Sequence, residues 1–147
     1  MRYSLADYIL TINIDDVTLA RDSGLSKIVI GGEGTYLGSI TIGGLQNQWT
    51  TQGSSTGDYT HSKSLNRTGT VSVSLNQLSS KIDQFKTIVN WHYKGDYEGF
   101  TITLEGLDGS KIATCYDCMV QGIPDQSFGE TAGDQTWTLT CGKIIFE

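Results

Sequence analysis

Apolar and polar side chains alternate along most of this chain, which is the period-2 pattern of strands that bury one face of a sheet. The alternation is cleanest over residues 69–75, and in the last such segment Trp137, Leu139 and Cys141 share one face. The pattern predicts strands over residues 8–14, 27–30, 37–42, 69–75, 100–104, 111–120 and 136–141.

A single stretch changes to the period of a helix. Its apolar residues lie three or four positions apart and indicate one amphipathic helix over about residues 78–91, packed on the sheet: Leu78, Ile82, Phe85, Ile88 and Val89. The chain is therefore predicted to be mainly β, a β-sandwich or barrel with one flanking helix. With 147 residues, it is expected to form a single domain over residues 1–147.

Turn residues separate these segments. Asp108-Gly109 is the strongest hairpin signal, and it predicts that residues 100–104 pair with residues 111–120. Glycines within residues 31–34 predict a second hairpin, between residues 27–30 and 37–42. Asp15-Asp16 is expected to form a turn before Val17.

A long polar segment over about residues 44–69 interrupts the strands and is expected to be an extended loop. Its sizeable apolar side chains are Leu45, Trp49, Tyr59 and Leu65. Ordering such a segment costs about 1 to 2 kcal/mol per residue, and few of its own side chains can offset that cost. A partner is expected to hold it, and another copy of the same chain is the partner we infer. The four apolar residues are the candidate contacts between subunits.

Charge is unevenly distributed along the chain, whose net charge is -6. Residues 95–147 carry nine acids against Lys111 and Lys143, whereas residues 17–94 carry four acids and seven bases. Copies of such a chain can meet head to tail, acidic surface against basic. The sequence has no Lys/Arg cluster for nucleic acid, no signal-peptide pattern and no long apolar run. It is thus expected to be made in the cytoplasm and not to bind membranes.

Candidate catalytic motifs fail on context. Residues 53–57 match G-x-S-x-G, but that motif needs a buried strand before it and a helix after it, and this one lies in a Ser/Thr/Gly-rich loop. The histidines, His61 and His92, lie in the same loop and just past the helix. No catalytic residue and no cofactor are predicted.

Three cysteines, Cys115, Cys118 and Cys141, fit a reducing compartment better than a disulfide framework. Cys115 and Cys118 have the spacing of half a zinc site but no second pair, and on a regular strand they point to opposite faces. Structural cysteines and no metal site are therefore expected.

The order of these segments resembles the small tail tube proteins of contractile-tailed bacteriophages, which are related to the tubes of R-type bacteriocins and type VI secretion. The resemblance covers most of the chain and is carried by residues 5–17, 69–75, 78–91, 99–102 with Asp108-Gly109, 118–130 and 135–142.

This resemblance implies a non-enzymatic virion protein that forms hexameric rings with copies of itself. Stacked rings would form a tube inside a sheath, through which DNA passes without specific binding. Sheath, baseplate and tail terminator proteins are the further partners that it implies. The acidic second half would suit such a lumen, because like charge keeps DNA from sticking to the wall.

Two alternatives remain open from the sequence alone. The first is a carbohydrate-binding β-sandwich that uses Trp49, Tyr59 and the acidic turns, with or without calcium. The second, ranked last, is a small hydrolase built on the Ser55 loop.

Overall fold

The computed structural model describes residues 3–31 and 35–147, and the segments within these ranges are mostly strands. A single 3-10 turn, Leu5–Asp7, precedes the first strand. The strands are β1 (Tyr8–Asn13), β2 (Lys27–Ile30), β3 (Leu37–Gly43), β4 (Trp49–Gly53), β5 (Tyr59–Lys63), β6 (Gly69–Asn76), β7 (Phe100–Gly106), β8 (Lys111–Val120) and β9 (Asp134–Phe146); the helices are α1 (Val17–Ser23) and α2 (Lys81–Lys94).

Seven of these strands form one curled, half-barrel sheet in the order β2-β1-β7-β8-β9-β6-β3. All neighbours in this sheet are antiparallel. Strands β4 and β5 pair only with each other, as a separate ribbon. The predicted mainly β fold with a flanking helix is confirmed.

The core lies between α2 and one face of the sheet. Phe85 of α2 stacks on Trp137 of β9, with ring centroids 5.2 Å apart, and both side chains are fully buried. The helix begins at Lys81 rather than near residue 78, because Asn76 holds a turn in front of it. The Ser79 amide donates to the Asn76 carbonyl at 2.9 Å, and the Leu78 amide donates to the Asn76 side chain at 3.1 Å. Leu78 consequently stays exposed, outside the apolar stripe of the helix.

Helix α1 was not predicted. Asp16, expected in a turn, is its N-cap: Oδ1 accepts from the amides of Thr18 at 2.9 Å and Leu19 at 3.1 Å. Its other oxygen, Oδ2, accepts from the Glu98 amide at 2.9 Å. The helix is short and buries only Leu19, so it shows little apolar period in the sequence.

The two predicted hairpins have different outcomes. The pairing of β7 with β8 around Asp108-Gly109 is confirmed. The hairpin predicted at residues 31–34 is wrong, because β2 pairs with β1 and β3 pairs with β6, at opposite ends of the strand order. Residues 32–34 themselves lie outside the described residues.

A β-bulge in β8 overturns the prediction that Cys115 and Cys118 point to opposite faces. Phe100 pairs with Cys118 but Ile102 pairs with Cys115, so β8 carries one extra residue between those pairs. Asp117, with φ 54°, lies within this irregularity. Both cysteines are fully buried as a result. Gly99 leaves room for the bulge, because a Cβ there would lie 2.9 Å from the Asp117 carbonyl carbon.

Gly69→Ala is expected to destabilise the protein by about 1 to 3 kcal/mol, because it overpacks the junction of β6 with the ribbon. A Cβ at Gly69 would lie 2.5 Å from both the Gly43 carbonyl oxygen and Ile144 Cδ1. Urea unfolding measures the change. Gly53→Ala is the matched control, since the nearest atom to a Cβ there is 4.0 Å away; equal losses in both variants would contradict the explanation.

Stability is expected to fall in acid partly through Asp16. Hydrogen bonds from the amides of Glu98 and Leu19 lower the pKa of Asp16 below its ordinary value of 3.8. Because the pKa of Asp16 is lower in the folded protein, its carboxylate contributes to folding stability above pH 3.8, and this contribution is lost as pH falls through the folded pKa. Asp16→Ala should therefore lower the urea midpoint at pH 6. Between pH 4 and pH 2, the urea midpoint of this variant should fall by less than that of the parent. Asp22→Ala, at an exposed position in α1, is the control; an unchanged pH profile in Asp16→Ala would refute the role of this carboxylate.

Candidate assembly surfaces

The polar segment over about residues 44–69, which was expected to be an extended loop, contains a two-stranded β-ribbon. Trp49 pairs with Lys63, and Gly53 pairs with Tyr59 next to the tip. Every residue of β4 and β5 is exposed. An isolated two-stranded ribbon is marginally stable at best in water. The ribbon is thus a segment that a contact with another molecule would stabilise.

The ribbon has two different faces because successive side chains of a strand alternate. The face that we call the aromatic face carries Trp49, Thr51, Tyr59, His61 and Lys63. The opposite face carries only Thr50, Gln52, Thr60 and Ser62.

Contacts between side chains organise the aromatic face. Lys63 Nζ lies 5.6 Å from the centre of the Trp49 ring, and the Tyr59 and His61 ring centroids are 5.2 Å apart. Thr51 Oγ1 and His61 Nδ1 are 2.7 Å apart, within hydrogen-bond distance. Trp49 and Tyr59 remain 55% and 70% exposed, respectively, so this face presents large aromatic area to solvent.

The other two candidate contacts, Leu45 and Leu65, lie at the base of the ribbon. Both line a hollow of about 300 Å³, together with the cationic side chains of Lys63 and Arg67. Leu65 is 83% exposed. The structure therefore places two of the four sequence candidates on the aromatic face, at opposite ends of the ribbon, and the other two at its base.

The half-barrel sheet ends in two strands, β2 and β3, each of which has a strand neighbour on one side only among the described residues. Unpaired edges present rows of backbone donors and acceptors that template pairing with another chain. These edges were not predicted, because the sequence suggested that β2 and β3 pair with each other.

The face of the sheet away from α2 is rich in hydroxyl groups. Registered rows run across β3, β6 and β9, for example Thr41, Ser72 and Thr138. A row across β1, β7 and β8 joins Thr11, Thr103 and Thr114, but Thr114 is buried and its hydroxyl donates to Glu147 Oε1 at 3.2 Å. A second row in the first set joins Ser39, Ser74 and Thr136. We call these side chains the hydroxyl face. Ser and Thr at alternate strand positions were the sequence signal for it.

Several acids of the C-terminal half lie outside the strands, in turns and loops: Asp96, Glu98, Asp108, Asp125 and Glu130. The rows of the hydroxyl face across β3, β6 and β9 are uncharged. Elsewhere on this face carboxylates accept from the hydroxyls, Asp15 from Thr101 and Glu147 from Thr114. The face is therefore free of negative charge in the rows across β3, β6 and β9.

The residues considered for catalysis are not brought together. Ser55 lies at the tip of the ribbon, whereas His61 of β5 is within hydrogen-bond distance of Thr51 across the ribbon. His92 stacks between Tyr97 and Phe100 at 5.7 and 5.5 Å. Burial lowers the pKa of His92. Within residues 3–31 and 35–147, no three metal-binding side chains are placed to hold an ion. No helix in the described part of the chain is long and apolar enough to cross a membrane.

Comparison with known proteins identifies a family and a shared fold. The family model described as Bacteriophage PhiTE tail tube protein matches residues 10–146. No curated protein matches the chain by sequence.

Three solved structures, all determined by cryo-EM, resemble the fold. A chain of the sheath/tube terminator of an extracellular contractile injection system, PVC, in its extended state has a TM-score of 0.63 at 11% identity, over 100% of this chain and 97% of that one. A chain of the PVC sheath-tube complex in its extended state has a TM-score of 0.62 at 13% identity, over 100% and 92%. A chain of the anti-feeding prophage cap, a tube terminating cap, has a TM-score of 0.54 at 11% identity, over 100% and 93%.

Truncation of the aromatic face is expected to leave the fold of the isolated chain intact. Trp49→Ala and Tyr59→Ala should change the free energy of unfolding by less than about 0.5 kcal/mol, since both side chains are exposed. Trp137→Ala, in the core, should cost about 3 to 5 kcal/mol by the same urea measurement. A loss of similar size at Trp49 would mean that the ribbon packs on its own sheet.

Proposed function

Because the chain belongs to the Bacteriophage PhiTE tail tube protein family, we propose that it assembles with copies of itself into hexameric rings that stack into a hollow tube. The chain is a structural component of a tail tube. The tube serves as the conduit for DNA delivery in the virion, and residues 1–147 act as one domain without enzymatic activity. The observation that carries the proposal is the exposed ribbon.

Pairing of sheet edges supports the ring. If β2 of one copy meets β3 of the next, the contact joins two different surfaces and is repeated around the ring. Closure of the ring would leave no free edge, which is how barrels avoid uncontrolled aggregation.

The ribbon supports contact between neighbouring subunits or rings. Aromatic residues dominate the binding energy of protein interfaces, and Trp49 and Tyr59 lie on one exposed face. Leu45, Leu65 and the cations Lys63 and Arg67 at the base offer a second contact. Its natural counterpart is an acidic margin of another copy, where charge complementarity would orient the encounter.

The hydroxyl face is the surface that we assign to the lumen. Helix α2 covers the other face of the sheet, which leaves the hydroxyl face uncovered by helix. A protein wall binds DNA strongly when Lys and Arg replace the counterions of the phosphates. Rows of uncharged Ser and Thr cause no such exchange, so DNA can slide past them.

The similar structures support a proposal for two of the outer partners, the sheath and the terminator. One is a sheath-tube complex, and two are a terminator and a terminating cap. We propose that this tube likewise lies within a sheath, ends in a terminator protein and begins at a baseplate.

Negative-stain electron microscopy of the purified chain over a concentration series tests the proposal. Rings or hollow tubes of uniform width are expected. Small monodisperse particles at every concentration, even after addition of preformed tube ends as seeds, would count against it. A melting shift on adding glycans would then favour a carbohydrate-binding module instead.

Deletion of residues 46–67 is expected to abolish ring stacking without unfolding the sheet. Gly43 pairs with Thr70, so the four residues left between them can form a turn. Point variants make the test finer. Trp49→Ala with Tyr59→Ala should raise the critical concentration for assembly about tenfold or more, because each removes an interface anchor.

The matched control is Thr50→Ala with Gln52→Ala, on the opposite face of the same ribbon. This control should assemble like the parent. Equal behaviour of the two double variants in sedimentation would remove the aromatic face from the assembly contact.

A further inference from the structure

Three thiols meet in the core of the sheet. Cys115 and Cys118 of β8 share the buried face because of the bulge at Asp117, and Cys141 of β9 lies beside them. All three are free thiols in the structure. Neither the tail tube proposal nor the packing of the core requires three cysteines at this point.

Cys118 and Cys141 are placed for a covalent bond. They are direct partners across the β8–β9 ladder, and their Sγ atoms are 2.8 Å apart. Directly opposed residues of antiparallel strands have Cα atoms about 4.5 to 5.5 Å apart, which falls within the span of about 4.4 to 6.8 Å that disulfides bridge. The backbone therefore needs no rearrangement to accommodate a cross-link.

Cys141 is the more exposed member of this pair. A hollow of about 500 Å³ lies beside Cys141 and is lined in part by three glycines, Gly44, Gly69 and Gly142. Cys141 keeps 4% of its residue surface exposed whereas Cys118 is fully buried. Cys141 is therefore the thiol that meets the oxidant first.

We propose that Cys118 and Cys141 form a cross-strand disulfide when the protein meets a peroxide. The Cys141 sulfur attacks the peroxide O–O bond and becomes a sulfenic acid, and one water leaves. The Cys118 sulfur then attacks the Cys141 sulfur, and the hydroxyl leaves with the Cys118 proton as a second water. Two thiols thus lose two electrons and two protons, and hydrogen peroxide is reduced to two waters.

The protonation state of the pair sets the rate. Hydrogen bonding with Cys115, together with burial, raises the pKa of Cys118 and raises that of Cys141 to about 12, whereas hydrogen bonds from Cys118 and Cys141 lower the pKa of Cys115 to about 4. The thiolate is the reactive form, so oxidation that starts at Cys141 quickens as pH rises, whereas oxidation that starts at Cys115 would already be fast at neutral pH. Glutathione keeps the pair reduced in a cytoplasm. Where the proposed function holds, the bond forms after the particle has left the cell.

The bond would tie down the loop that follows β8. It joins the residues at the two ends of the segment 119–140, which contains the exposed Phe128. Closing a loop of this length restricts the unfolded chain, and the melting temperature should rise by about 10 °C. The cross-link would thus stabilise each subunit without any new contact between subunits.

Mass spectrometry of the full chain after treatment with hydrogen peroxide tests the proposal. Peptide mapping without reductant should join the peptides of Cys118 and Cys141, with the loss of two hydrogen masses, and dithiothreitol should reverse both this loss and the rise in melting temperature. The rate should increase from pH 7 to pH 9. Three free thiols after prolonged treatment, or a bond that involves Cys115, would overturn the assignment.

Variants separate the pair from the third thiol. Cys115→Ala should still form the bond, whereas Cys118→Ala and Cys141→Ala should not. The parent measurement stands even if a variant fails to fold. It is also independent of assembly, because the bond is detected in the single chain whether or not rings form.

Discussion

The structure depends on the burial of one face of a seven-stranded sheet, chiefly by helix α2, with Leu19 of α1 in the same core. The stack of Phe85 on Trp137 lies at the centre of that contact, and the inward side chains of β6, β8 and β9 complete the core around it. One helix can cover only one face of a sheet. The other face must therefore be compatible with water, and its rows of Ser and Thr meet that requirement while leaving the surface free of strong charge.

The same constraint explains why the protein offers so much surface to neighbours. The sheet curls without closing, so β2 and β3 remain as edges, and the ribbon extends away from the core with all of its strand residues exposed. Each of these features would be a liability in an isolated monomer. In the ring that we propose, all of them would become contacts, and for this reason we favour self-assembly over a binding module.

Features that depend on local pattern could be predicted from the sequence. The alternation in residues 69–75 and the helical spacing of apolar residues from Ile82 to Val89 correspond directly to the buried side chains. Asp108-Gly109 marks a turn. Features that depend on long-range pairing could not. The glycines before Thr35 did not indicate that β3 would pair with β6 instead of β2. The bulge that turns Cys118 inward includes a positive φ at Asp117, a conformation that favours glycine and that an aspartate does not predict. For the candidate surfaces, the four apolar residues of the polar segment were identified from the sequence. The ribbon, which places two of them on its aromatic face and two at its base, was not predicted.

The connection of β3 and β6 to the ribbon through short segments, residues 44–48 and 64–68, has a mechanical consequence. A force applied to the ribbon acts along β3 and β6. Strand β6 is joined to β9 by eight cross-strand residue pairs, which begin with Gly69–Cys141 and end with Asn76–Asp134. Interstrand hydrogen bonds lie perpendicular to the strands, so a load in this direction shears all of them together instead of opening them one after another. Tension applied at the tip of the ribbon is therefore shared by the centre of the sheet, and the thinnest part of the molecule is anchored in its most strongly paired part.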